Sequence, residues 1–255
     1  MNTELTNSIN AADEKAQYDE YAKRLLSQKI ILSHILVKTV EEFRGMEAEE
    51  VVKYIEGEPY IGVVPTEPGL TNMAGEKSAN ADNKENTKER IVGLNTENAE
   101  MQEGLIKFDI VFYVRMKNGL TQIIVNVEAQ KDKPSSYKIL NRGIFYVSRL
   151  ISSQKERDFV GMKYDDIKSV VSIWICMNME ANCMSHYHLT KEELLEPYDW
   201  GGNMELINIV LLGIKGELPK YDEKYELHRL LGTLLSDELK AHEKLKIMEK
   251  GFQSN

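Results

Sequence analysis

The clearest pattern of apolar and polar positions lies in the middle of the chain. Residues 105–115 and 121–129 are two apolar, β-rich runs. They are joined by Asn118-Gly119, a dipeptide that favours a tight two-residue hairpin turn. Such a turn pairs Lys117 with Leu120, and the register then sets Asp109 directly opposite Glu128. Directly opposed residues hold their Cβ atoms roughly 4.5–5.5 Å apart, so two carboxylates placed there repel one another. A change of one residue in the turn would abolish this pairing and leave two solvated carboxylates at strand ends. Side chains two apart share a strand face, so Asn126, Glu128 and Gln130 lie together, with Val125 and Val127 turned to the core.

Elsewhere the pattern is helical. Tyr21, Leu25, Leu26, Ile30, Ile31, Ile35 and Leu36 recur at helical spacing and predict a helix over residues 13–43. A second, short helix is expected over 48–56, stopping before Gly57-Glu58-Pro59. Pro65, Pro68 and Gly69 mark turning chain. Residues 71–88 are rich in Asn, Glu, Lys, Ala and Asp and read as a mobile loop inserted into a domain. Ile91–Leu94 predicts a short strand before the hairpin. A long helix is expected from Ser135 or Ser136 to Lys155, with strands at 169–177, 185–190 and 206–212. A charged helical region follows over 223–250. The order predicts one α/β domain over residues 1–255, with a mixed central β-sheet flanked by helices and with N- and C-terminal helices.

Composition adds few constraints. Apolar content of 42% and charged content of 29% are those of an ordinary globular protein. No apolar stretch is long enough to span a bilayer, and the start lacks a basic-then-apolar signal pattern. Cys176 and Cys183 are too few for a disulfide framework and fit no common zinc spacing, so a cytoplasmic location is the expectation. The net charge of −9 argues against nucleic-acid binding over the whole surface. Charge is unevenly spread, however. From Lys131 to Arg157 there are seven basic and two acidic residues. At about 100° per residue, Lys138, Arg142 and Arg149 fall within about 40° of each other on the predicted helix, with Phe145 and Ser152. Leu140, Ile144, Val147 and Ile151 form the opposite stripe, expected to pack on the sheet. A basic stripe beside two carboxylates suits phosphate-backbone contacts to DNA. Tyr137 or Tyr146 are placed to stack on a base or cap the site.

Two carboxylates and a backbone carbonyl, that of Ala129, form a hard oxygen set suited to Mg²⁺ or Mn²⁺. Such a site polarises a phosphodiester and activates water. Around this constellation stand Tyr18–Leu26, Ile55-Glu-Gly-Glu58-Pro, Ile91-Val-Gly-Leu-Asn95-Thr-Glu, Arg142-Gly-Ile-Phe-Tyr146-Val-Ser-Arg149, Ile151-Ser-Ser-Gln154 and Ser172-Ile-Trp-Ile-Cys-Met-Asn178. The ordered set, from about residue 13 to 250, resembles the PD-(D/E)xK nuclease superfamily, in its recombination-promoting nuclease and transposase branch. The resemblance implies a restriction-endonuclease-like core and a metal-dependent DNA endonuclease. It assigns Asp109, Glu128 and Gln130 as catalytic, and Asp109, Glu128 and the Ala129 carbonyl as metal ligands.

The superfamily places Glu-x-Lys where this chain has Glu128-Ala-Gln130, and in this branch the lysine is commonly glutamine. A glutamine offers only neutral hydrogen bonds, so Lys138 or Arg142 is the expected substitute cation, Lys131 pointing to the other strand face. Many members also use a glutamate from the first helix, for which Glu41, Glu42 and Glu58 are candidates, with Tyr146 and Gln154 as accessory residues. His186 and His188 share a strand face and suit either a metal or a structural role. Leu227, Leu230, Leu231, Leu234 and Leu235 suit either core packing or a homodimer contact. The alternatives to an endonuclease are a non-catalytic DNA-binding or interaction module on the same fold and an inactive mobile-element remnant. No helix-turn-helix or zinc module that would read specific DNA ends is recognisable.

Overall fold

The computed structural model describes residues 18–62, 97–100, 104–117, 122–131, 134–155 and 157–252. The loop expected at 71–88, the strand at 91–94 and the Asn118-Gly119 turn lie outside the described residues. Helices α1 (Tyr18–Leu26), α2 (Lys29–Thr39) and α3 (Ala48–Val51) lead into strand β1 (Ile55–Gly62). Strands β2 (Glu97–Glu100), β3 (Gly104–Arg115) and β4 (Gln122–Gln130) precede helix α4 (Ile139–Ser152). Strands β5 (Val170–Cys176), β6 (Cys183–His188) and β7 (Ile207–Gly213) follow, then helices α5 (Glu226–Leu235) and α6 (Ala241–Phe252).

The fold is α/β, with a mixed sheet flanked by helices. Six strands run in the order β1-β3-β4-β5-β7-β6, and β2 pairs with the start of β3. β4, β5 and β7 are parallel, whereas β1, β3 and β6 join antiparallel at the flanks. The β3–β4 register pairs Ile110 with Val127 and Arg115 with Gln122, as the hairpin reading requires. Strands β4 and β5 are adjacent and parallel, so the chain must cross over between them, and α4 is that crossover.

The two sheet faces bury different layers. On one face Ile110, Phe112, Val125, Val127, Ile173 and Leu212 pack under α1, α2, α5 and α6. The five leucines of α5 are all in this layer, at 5% exposure or less, so they serve the core. On the other face Val111, Ile124, Val170, Trp174 and Ile209 pack under α4 through Tyr146, Val147 and Leu150.

Several sequence expectations are corrected. Within the described part of 13–43, from residue 18, the expected single helix is two helices, because Gln28 adopts an extended backbone (ψ 128°) and its carbonyl accepts the amides of Ile31 and Leu32 to start α2. The helix expected over 48–56 ends at Val51 with one further 3₁₀ turn, and Ile55 already belongs to β1. Gly57-Glu58-Pro59 is not a stop but part of β1, where the register shifts between Glu56 and Tyr60. A bulge on an edge strand accommodates both the positive φ of Gly57 (59°) and the missing amide of Pro59. Helix α4 starts at Ile139, three residues or more later than expected, and ends at Ser152.

The face of α4 is also rotated from expectation. Gly143, Tyr146, Val147 and Leu150 are buried, while Ile144 is 49% exposed. The cause is Gly143. A Cβ there would stand 3.1 Å from Ile209 Cγ2 and 3.2 Å from Trp174 Nε1, so the helix approaches the sheet closest along its glycine. The hydrophobic stripe drawn from large residues alone leaves that line out.

Candidate carboxylate site

The β3–β4 register, continued one step past Ile110 and Val127, sets Asp109 opposite Glu128. The two side chains are locked by reciprocal bonds to the facing backbone. The Asp109 amide donates to Glu128 Oε1 at 3.0 Å, and the Ala129 amide donates to Asp109 Oδ2 at 2.9 Å. Each carboxylate thus completes the hydrogen bonding of the other's strand, which fixes both at the end of the hairpin.

This polar face of β4 is covered by α4. Asn126 is fully buried and Glu128 is 1% exposed. A relay of side chains makes the burial tolerable. Trp174 Nε1 donates to Ser172 Oγ (2.9 Å), Ser172 Oγ to Asn126 Oδ1 (2.7 Å), and Asn126 Nδ2 to Glu128 Oε1 (2.8 Å). Burial pushes the Glu128 carboxyl up, and the neighbouring Asp109 charge adds to it, giving about 8. The Asn126 amide, the Asp109 N–H and the Arg142 charge act in the opposite direction.

The carboxylate oxygens that face no backbone amide are Asp109 Oδ1 and Glu128 Oε2. Asp109 Oδ1 is met by Lys23 Nζ of α1 at 3.0 Å, with the lysine 19% and the aspartate 12% exposed. Among the described residues no donor reaches Glu128 Oε2. The residue that the first helix brings to the pair is therefore a lysine. Glu41, Glu42 and Glu58 are not brought there. Glu41 pairs with Arg44, Glu42 accepts the Lys117 amide at the turn end of the hairpin, and Glu58 pairs with Lys29 at 3.4 Å. Lys117 lies two residues past the end of β3, whose last residue, Arg115, is six strand positions from Asp109, roughly 20 Å away. Position 23 was legible only as part of the Tyr18–Leu26 motif, because a lysine near a helix end reads as a solvated charge.

The other side of the site is built around Arg142. Its guanidinium donates to Tyr137 OH (2.7 Å) and, through Nε, to Tyr146 OH (3.0 Å). It lies 5.3 Å from the ring centres of both Tyr137 and Trp174 and 4.9 Å from that of Tyr146. A planar guanidinium can make these contacts together, whereas an ammonium cannot. Tyr137 OH in turn donates to Gln130 Oε1 at 3.2 Å, and Gln130 Nε2 donates to its neighbour's carbonyl, Ala129 O, at 3.2 Å. Gln130, Ala129 and Arg142 are so joined in one network, and both tyrosines, expected to stack on a base or cap the site, hold the arginine. Burial, then the charge of Glu128, raises the Tyr146 hydroxyl above its usual range.

The remaining expected residues lie apart. Lys138 is exposed at the residue that precedes α4, and Arg149 lies seven residues beyond Arg142, roughly 10 Å along the helix. Lys131 follows the end of β4 and pairs with Asp237 at 3.0 Å. Gln154 is fully buried and its amide bonds both ways to the backbone of Lys168, at 2.9 and 2.8 Å, so it anchors a loop. His186 and His188 stack at 5.0 Å and His186 Nε2 meets Asn208 Oδ1 at 2.9 Å, which favours a structural pair.

Among the described residues no group of three or more His, Cys, Asp or Glu side chains is arranged to hold a metal ion. Asp109, Glu128 and the Ala129 carbonyl are the oxygen donors that could hold a hard cation. No helix among the described residues is long and apolar enough to cross a membrane. Comparison with family models, with curated protein sequences and with solved structures gives no match.

Proposed function

We propose that this chain is a Mg²⁺- or Mn²⁺-dependent DNA endonuclease with a restriction-endonuclease-like core, of the recombination-promoting, transposase-associated type. One observation carries the reading: two opposed carboxylates are held rigidly by facing backbone amides, yet each keeps one oxygen that no amide takes. The sequence resemblance and the Arg142 network beside the pair agree with it. Asp109, Glu128 and the Ala129 carbonyl would hold the cation. When bound, it would polarise a phosphodiester oxygen and lower the pKa of a bound water.

The residues around it divide the remaining tasks. Gln130, fixed at its carbonyl by Tyr137, orients a water or a phosphate oxygen by neutral hydrogen bonds. Arg142 supplies the positive charge that Gln130 lacks, held in place by two tyrosine hydroxyls and the Trp174 ring. Exposed Lys138 and half-buried Arg149 extend the basic surface along the DNA backbone.

Purified protein incubated with supercoiled plasmid should nick it with Mn²⁺ or Mg²⁺ and not with EDTA. Asp109→Ala and Glu128→Ala should each reduce nicking to background. Nicking that persists unchanged in both variants would sink the assignment. The second reading, a non-catalytic DNA-binding module, is favoured by the neutral Gln130 and by the ammonium already seated on Asp109. It expects DNA binding by the double variant as tight as by the parent, with no response to Mn²⁺.

A further inference from the structure

We propose that Lys23 is a built-in counter-cation that competes with the divalent metal for Asp109 Oδ1, so that metal enters the site only as the lysine leaves. This rests on the metal reading of Asp109 and Glu128, and it concerns a residue that the nuclease pattern does not assign.

The argument begins with the oxygens. Asp109 Oδ2 is committed to the Ala129 amide and Glu128 Oε1 to the amides of Asp109 and Asn126. Glu128 Oε1 thus accepts two bonds and Asp109 Oδ2 one, so the oxygens with most acceptor capacity left are Asp109 Oδ1 and Glu128 Oε2, and the first is the atom that Lys23 Nζ meets at 3.0 Å. An ammonium and a hard cation cannot both occupy the near side of one carboxylate oxygen. Both are cations, so they also repel one another at close approach.

Position and length make the lysine a suitable competitor. Its helix is anchored by Ala22, Leu25 and Leu26, which are 6%, 1% and 1% exposed in the main core. The backbone of Lys23 is thereby fixed, so the exchange requires movement of its four-carbon side chain alone. The charges decide the sense of the exchange. One ammonium carries a single charge, whereas one divalent ion carries the two that would offset both carboxylates when both are ionised. The released ammonium remains within a side chain's length of the pair, where a DNA phosphate is the natural acceptor. The lysine that stabilises the metal-free site thus becomes available to substrate once metal is in place.

The test is Mn²⁺ binding measured by calorimetry on the full chain, without DNA. Lys23→Met and Lys23→Gln should bind Mn²⁺ at least about tenfold more tightly than the parent, and Lys23→Arg, which keeps the charge, should bind no more tightly. Two neutral variants are used so that misfolding of one leaves the other informative, and a thermal melt with and without Mn²⁺ accompanies each. The neutral variants should melt lower than the parent without metal and gain more on adding it. Equal or weaker Mn²⁺ binding by a folded neutral variant overturns the competition while leaving the metal site intact. Tighter binding by Lys23→Arg also overturns it, since the effect would then be one of space and not of charge. Absence of Mn²⁺ binding in every variant and in the parent overturns the metal reading itself, and the competition with it.

Discussion

Glu128 shows how one side chain's environment sets its behaviour. A carboxyl at 1% exposure, beside a second carboxylate, is disfavoured as an anion. Its folded pKa is raised, to about 8, above the value of 4.5 it has when free. The folded state therefore binds more protons than the unfolded one across that interval, and stability must fall as pH rises through it. Glu128→Gln keeps the acceptor for the Asp109 and Asn126 amides but cannot ionise. In the absence of metal, the variant should melt close to the parent at pH 5 and above it, by about 2–4 °C, at pH 8.5. Thermal melts in EDTA across this range check it, and identical pH dependence in the two proteins would show that Glu128 does not carry the effect.

At the scale of elements, the hairpin and α4 build the site together. The hairpin was readable because an apolar run, a turn dipeptide and a second run fix register by local chemistry alone. The orientation of α4 was not, because it is set by a residue with no side chain. Gly143 meets Ile209 on β7 and Trp174 on β5, partners that sequence spacing does not reveal. Alanine there gains about 1 kcal/mol of helix propensity but must displace a ring held by Ser172 and covered by Arg142. We expect Gly143→Ala to be destabilising by about 1 kcal/mol net, overpacking outweighing propensity. Urea unfolding measures this, and altered near-ultraviolet circular dichroism from Trp174 would report the displaced ring.

At the scale of the whole molecule, a second buried charge cluster ties the chain between α4 and β5 to the sheet. Asp158 receives Arg157 Nε at 2.6 Å, Lys168 Nζ at 2.7 Å and Tyr113 OH at 3.1 Å. Burial by itself would raise the Asp158 carboxyl, but Arg157 and Lys168 outweigh it and hold it below the usual range. A depressed folded pKa contributes stability above the unfolded value and loses it as pH falls through the folded one. Asp158 thus sets an acid limb below about 3.8 and Glu128 a fall from 4.5 to about 8, and the metal-free protein should be most stable between them. Asp158→Asn leaves the Arg157 side chain, 1% exposed, without its counter-charge, and should cost about 3–5 kcal/mol. The acid limb, which lies below about 3.8, should flatten in the same variant, as read from urea midpoints between about pH 2 and 5.

The sequence by itself determined what local chemistry governs: the strand pair and its register, the opposition of Asp109 and Glu128, the α/β order and the basic character around α4. These follow from turn propensity, period-two alternation and charge counting, none of which needs a distant partner. Only the tertiary structure decided that the polar face of β4 is buried, that Arg142 turns in between Tyr137, Tyr146 and Trp174, and that Gln154 secures a loop. It alone brought Lys23 to Asp109, across 86 positions of sequence. The reason is that burial and ion pairing depend on which surfaces meet, and here they are set by a glycine contact and a helix anchored in the opposite core.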